Sequence, residues 1–146
     1  MQRRNFLRAC LGITALMLLP LRALAAAWNK SAFESRTLDG ALQGLNIATL
    51  EPSADIVITA PAYAENGAVV QVEITSRIAN TESIFILAEK NPTPLIAHFT
   101  FSNGAEPFVV TRIKMAETAD VVALVKAGDK YFKASRRVEV SENGCN

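Results

Sequence analysis

An all-β domain is what this sequence predicts: a small sandwich of about seven short strands, with a short N-terminal helix and a flexible C-terminal tail. Two observations carry that prediction. From Ile47 onward, short β-branched and apolar runs recur with turn residues between them at regular spacing, the pattern of a sandwich. Several of the runs also alternate in polarity, which gives each strand one apolar face.

Ahead of the strands, residues 28–45 read as a helical lead-in. Phe33, Leu38, Ala41, Leu42 and Leu45 recur at helical spacing, and Thr37 with Asp39 has the form of a helix start. Gly40 and Gly44 weaken the helix, so it needs tertiary support. Ile56–Thr59 is a strand stopped by Pro61, and Glu65-Asn66-Gly67 is a turn signal. Residues 69–75 alternate, placing Val70, Val72 and Ile74 on one face. Residues 83–89 hold the apolar run Ile84-Phe85-Ile86-Leu87, closed by Asn91-Pro92-Thr93-Pro94. Leu95 to Phe101 follows, and Asn103-Gly104 makes a turn. Phe108 to Met115 alternates again, with Phe108, Val110 and Arg112 opposite Val109, Thr111 and Ile113. Ala119 to Lys126 turns at Gly128-Asp129 into Lys130 to Ser135, and Arg137 to Ser141 completes the set. Long apolar strands such as residues 83–87 need covering, and exposed strand edges invite pairing with another chain.

The 146 residues leave room for one domain, and the first segment is not part of it. Arg3 and Arg4, followed by Asn5-Phe6-Leu7-Arg8, form a twin-arginine pattern ahead of an apolar run from Leu11 to Leu19. Ala23-Leu24-Ala25 supplies small residues at the cleavage-determining positions, with Ala25-Ala26-Ala27 as a second site. The run is too short to span a bilayer, so the segment is an export signal and not a membrane anchor. Residues 1–25 are thus expected to be a signal peptide, 26–141 the sandwich and 142–146 the tail. The destination is the periplasm, by the twin-arginine route.

Export changes the charge and the cysteine inventory. The chain holds 15 Lys and Arg against 14 Asp and Glu; the signal removes Arg3, Arg4, Arg8 and Arg22 and no acid, turning +1 into −3. Without a dense basic run, nucleic acid is not an expected partner. Cys10 precedes the apolar run, so it is not a lipoprotein acceptor and leaves with the signal. Cys145 is then the one cysteine of the mature protein, in an oxidising compartment and without an internal disulfide partner. Such a cysteine points to intermolecular pairing or a reactive thiol.

Catalytic constellations are missing from the sequence. His98, the only histidine, falls inside a strand between Ala97 and Phe99, where half-burial is the default. One histidine and one cysteine cannot complete a tetrahedral zinc site, and no cofactor is expected. Met115 reads as core packing. Glu65, Glu89 and Glu117 stand beside turns, where solvated carboxylates belong.

That leaves the tail, Glu142-Asn143-Gly144-Cys145-Asn146. Gly144 has the widest backbone freedom and asparagine the next widest, so Asn143 and Gly144 read as a pivot holding Cys145 away from the domain. A thiol on such an arm suits entry into another protein's pocket. A cysteine thiol in water titrates near ~8.5, leaving a few per cent thiolate at neutral pH. Glu142 would disfavour the thiolate further, so activation falls to a partner's site.

Several segments resemble the SoxY family, the carrier subunit of the bacterial thiosulfate-oxidising Sox system. Thr37-Leu38-Asp39-Gly40-Ala41-Leu42 resembles its lead-in helix, and residues 60–70 its P-x-x-A-E-N-G-x-x-V segment. Residues 86–94 resemble its N-P-x-P segment and Arg112–Thr118 its R-I-K-x-x-E-T segment. The resemblance implies an immunoglobulin-like sandwich paired with the small subunit SoxZ. It implies that Cys145 carries sulfur intermediates between periplasmic enzymes, with Gly144 as its flexible neighbour. A haem enzyme would attach thiosulfate to the thiol, and a hydrolase would release the terminal sulfone as sulfate. The family tail is typically Gly-Gly-Cys-Gly-Gly, and here Asn143 and Asn146 stand in place of glycines. The rival reading is a periplasmic interaction module whose cysteine only joins two chains.

Overall fold

Residues 29–142 are described in the computed structural model of the chain, apart from the side chain of Glu142. The export signal with Arg3 and Arg4, and the tail residues Asn143, Gly144 and Cys145, lie outside them.

Two short helices open the described chain, α1 (Lys30–Phe33) and α2 (Leu38–Gly44), where the sequence reads as one lead-in. Each is capped by the residue before it. Asn29 Oδ1 accepts from the Ala32 amide at 3.1 Å, and Thr37 Oγ1 accepts from the Gly40 amide at 3.1 Å. Nine strands follow: β1 (Glu51–Pro52), β2 (Ile56–Thr59), β3 (Tyr63–Asn66), β4 (Val70–Ser76), β5 (Thr81–Ala88), β6 (Leu95–Thr100), β7 (Phe108–Ile113), β8 (Ala119–Ala127) and β9 (Lys130–Glu142). The expected strands are all present, and the last two expected runs are one strand, β9. β1 and β3 are additions, and the turn read at Glu65-Asn66-Gly67 begins only after Asn66.

The strands form two sheets. The smaller runs β2-β4-β7; the larger runs β1-β9-β8-β5-β6, with β3 also paired to β9. The main core lies between them. Val70, Val72 and Ile74 from β4 meet Ile84 and Ile86 from β5 and Val121, Ala123 and Val125 from β8, all at most 1% exposed. Alternation on β4 and β7 fixes which residues enter: Val109 and Ile113 are buried, while Phe108, Val110 and Arg112 face outward, as the spacing predicts. Met115 is fully buried in the same core.

One expectation is corrected. The apolar run of β5 needs no second chain to cover it, because both of its faces are buried within this chain. Ile84 and Ile86 point into the main core, whereas Phe85 and Leu87 join a second cluster with Leu95, Leu124, Ala32 and Ala41. The helices supply that second layer, with Leu38, Leu42 and Leu45 packed against it. A strand covered on both faces reads as a continuous apolar run, and that is why residues 84–87 do not alternate. Tertiary support for α2 is visible at Gly44, where an added Cβ would sit 2.6 Å from the backbone nitrogen of Ala32.

Candidate functional site

Cys145, Asn143 and Gly144 lie outside the described residues; the strand leading to them, β9, is described through Glu142. Along β9 the residues from Lys130 to Val138 pair antiparallel with β8, ending at Ala119↔Val138, and Val138 is fully buried. Beyond that point β8 has ended, yet the edge is still satisfied. Thr118 Oγ1 accepts a hydrogen bond from the Val140 amide at 2.9 Å and donates one to the Val140 carbonyl at 3.3 Å. A hydroxyl carries both a donor and acceptor lone pairs, so one side chain does the work of a paired strand residue.

The other edge of β9 is covered by short parallel strands. β1 pairs with Phe132 and Lys133; β3 pairs Tyr63↔Glu139, Ala64↔Val140 and Asn66↔Glu142. The Glu139 amide donates to the Ala62 carbonyl at 2.9 Å, and Ser141 Oγ donates to the Glu65 carbonyl at 2.9 Å. Between the two short strands, Arg136 Nε donates to the Ala60 carbonyl at 2.8 Å.

Loops gather around this exit. After β3, Asn66 Oδ1 accepts from the Ala68 amide at 2.8 Å, an Asx turn that presents the Gly67 carbonyl to the Met115 amide at 2.7 Å. Asn91, in the β5–β6 loop, spans to the β7–β8 loop. Its Nδ2 donates to the Lys114 carbonyl at 2.7 Å and its Oδ1 accepts from the Ala116 amide at 2.8 Å. A recess of about 480 Å³ opens beside this bridge, lined by Phe33, Pro92, Leu95, Ile96 and Ala116. A larger hollow of about 610 Å³ lies elsewhere, under α2 against the middle of β8 and β9.

Thus the segments 60–70, 86–94 and 112–118, which mark the family resemblance in the sequence, meet at one end of the sandwich, where β9 leaves it. Sequence reading singled out these segments but not their convergence, nor the parts played by Thr118, Asn91 and Ser141. The signal was present in the placement of Asn91 and Thr118 at loop positions within those segments.

His98 does not belong to this site. It sits on β6 and stacks flat on Phe85, with ring centroids 4.2 Å apart and planes 13° from parallel; Thr100 Oγ1 lies 3.4 Å from Nε2. Burial pushes its pKa below the ordinary value of 6.5. Among the described residues no group of three or more His, Cys, Asp or Glu could hold a metal, and no helix is long and apolar enough to cross a membrane.

Fold and exit together define a small two-sheet β-sandwich whose last described strand outruns its partner and runs in sequence toward Cys145. The family model described as "Sulfur oxidation protein SoxY" matches residues 44–145, a span that includes that cysteine. A solved structure, the sulfur carrier protein SoxY from Chlorobium limicola f thiosulfatophilum, is 35% identical over 78% of this chain and 100% of its own, with a TM-score of 0.67. The chain belongs to the SoxY family of sulfur oxidation proteins. A chain from the structure of T cell activation by the bacterial superantigen toxic shock syndrome toxin-1 is 14% identical over 58% of this chain and 98% of its own. Its TM-score of 0.40 is too low to bear on the argument. No curated protein matches.

Proposed function

We propose that this protein is a non-catalytic carrier that holds sulfur intermediates covalently on Cys145 and passes them between periplasmic enzymes. The observation that carries the reading is the end of β9: a strand rooted in the core by Val138 continues through residues 139–142 and delivers the chain toward Cys145 from one end of the domain. Family membership supports the chemistry. Joining thiosulfate to the thiol forms an S–S bond, releases the thiol proton and removes two electrons, which a haem enzyme takes up. Hydrolysis then cleaves the terminal sulfur–sulfur bond, water oxygen leaves in sulfate, and a persulfide stays on Cys145. Neither step asks for a catalytic group from this chain, and activation of the thiol falls to the partner's site.

Export through Arg3 and Arg4 and pairing with a SoxZ-like subunit belong to the same proposal. Phe108 and Val110, 46% and 52% exposed on the outer face of the smaller sheet, leave apolar surface that a partner subunit would cover. Pairing is expected to be independent of Cys145.

The test uses the mature protein with its partner subunit, thiosulfate and the attaching haem enzyme. Mass spectrometry should find a thiosulfate-derived adduct on the peptide containing Cys145. Cys145→Ser should fold and pair normally yet carry nothing. An adduct elsewhere, or sulfur accepted by Cys145→Ser, removes the carrier role.

A further inference from the structure

The last part of β9 is attached in a different manner from the rest. From Lys130 to Val138 it is held by a full antiparallel ladder, and Val138 is sealed in the core. From Glu139 onward one edge depends on a single side chain, the Thr118 hydroxyl, which both donates to and accepts from Val140. The other edge depends on β3, a parallel strand of residues 63–66, and on Ser141 Oγ against the Glu65 carbonyl. Glu139 and Ser141 are exposed and Val140 is only half-buried.

The two parts therefore differ greatly in what their release costs. Opening residues 139–142 breaks a few hydrogen bonds whose groups meet water at once, and frees part of one valine. Opening Val138 exposes the core. Local openings follow such differences in burial and in solvent-facing hydrogen bonds.

We infer that residues 139–142 are a releasable extension of the carrier arm, latched by the Thr118 hydroxyl. The inference rests on the reading of Cys145 as the carrier thiol for its purpose. With the latch closed, the chain is anchored at Glu142 and three residues lead to Cys145, a reach of roughly 10 Å at full extension. With it open, the anchor is Val138 and seven residues lead to Cys145, a reach of roughly 24 Å. The closed form keeps the arm short; the open form serves a partner whose reacting centre lies at the bottom of a channel. Thr118 is a positioning residue in this scheme and touches no sulfur.

Amide hydrogen exchange, resolved by NMR on the mature protein with Cys145 reduced and unloaded, reads the latch directly. In the native protein the Val140 amide should exchange at least about tenfold faster than the Val138 amide. Thr118→Val, which removes the hydroxyl at nearly constant shape, should accelerate Val140 by a further factor of roughly three to ten, the worth of an ordinary hydrogen bond, and leave Val138 unchanged. Thr118→Ser should restore native exchange. Equal protection of Val140 and Val138 in the native protein overturns the inference, as does Thr118→Val that leaves Val140 unchanged or accelerates both amides alike. If Thr118→Val does not fold, the native ratio decides alone. Because no sulfur is involved, selective exchange without adduct formation would sink only the carrier reading. Adduct formation with uniform exchange would sink only the latch.

Discussion

Gly44→Ala sets two effects of similar size against each other, and the structure decides between them. Gly44 is the last residue of α2. Replacing a helical glycine with alanine ordinarily stabilises by roughly 0.5–1 kcal/mol, because the unfolded chain loses freedom. Here the new Cβ would lie 2.6 Å from Ala32 N, 2.7 Å from Ala32 Cα and 2.9 Å from Ser31 C, all backbone atoms of α1. Reaching an ordinary carbon contact of about 3.5–4.0 Å requires α1 to move by roughly 1 Å. That movement is resisted by Asn29 Nδ2, which donates to the Gly44 carbonyl at 2.8 Å, and by the fully buried Ala32. Overpacking of this kind costs about 1–3 kcal/mol, so the net effect is a loss of about 0.5–2 kcal/mol. For a domain of this size the midpoint of thermal unfolding should fall by about 2–8 °C, measured by circular dichroism on the mature protein. Gly40→Ala crowds side chains instead of backbone. Its Cβ would meet the hydroxyls of Ser35 and Thr37, and turning Thr37 away gives up its cap on the Gly40 amide, worth about 0.5–2 kcal/mol, which offsets the gain in helix propensity. A Gly44→Ala protein that melts higher than the native one would show that helix propensity outweighs the contact, and the close approach of α1 to α2 would be refuted.

Asn91→Ala removes both hydrogen bonds of the bridge to the β7–β8 loop and should cost about 1–2 kcal/mol, read as a lower urea midpoint; an unchanged midpoint would mean water replaces the bridge without loss. His98 holds its proton less tightly in the folded protein than in the unfolded chain. Its contribution is therefore complete above pH 6.5 and declines as the pH falls through 6.5 toward the folded value. NMR titration should place its midpoint below 6.5, and a midpoint at or above 6.5 would mean that stacking on Phe85 favours the imidazolium more than burial disfavours it.

What could be read from the sequence follows from where each strand finds its partner. β4 and β7 alternate because one face is core and the other is water, so Val70, Val72, Ile74, Val109 and Ile113 could be assigned inward from spacing alone. Thr37 declared the start of α2 by its type. β5 was legible as a strand, but its second apolar face did not reveal whether this chain or another would cover it. β1 and β3 escaped because they are short and, apart from the buried Ala64, exposed, and they become strands only through parallel pairing with the remote β9. The exit site shared that difficulty. The sequence identifies Asn91 and Thr118 as loop residues, while their partners are set by tertiary register that local patterning does not encode. The roles of Cys145 and its neighbours rest on sequence and family, since those residues lie beyond the described strand.

β9 also ties folding to display. It is the last of the described strands in chain order, yet it is the partner that β1, β3 and β8 all require, and its side chains reach carbonyls 76 residues earlier at Ala60 and Glu65. Contacts of such separation form late and slowly, because a long loop must close before they reward it. A chain interrupted before β9 leaves three strands with bare edges, which quality control and proteolysis act upon. Completion of the sheet and presentation of the segment leading to Cys145 are therefore one event, and a nascent chain cannot offer its thiol from a half-built domain.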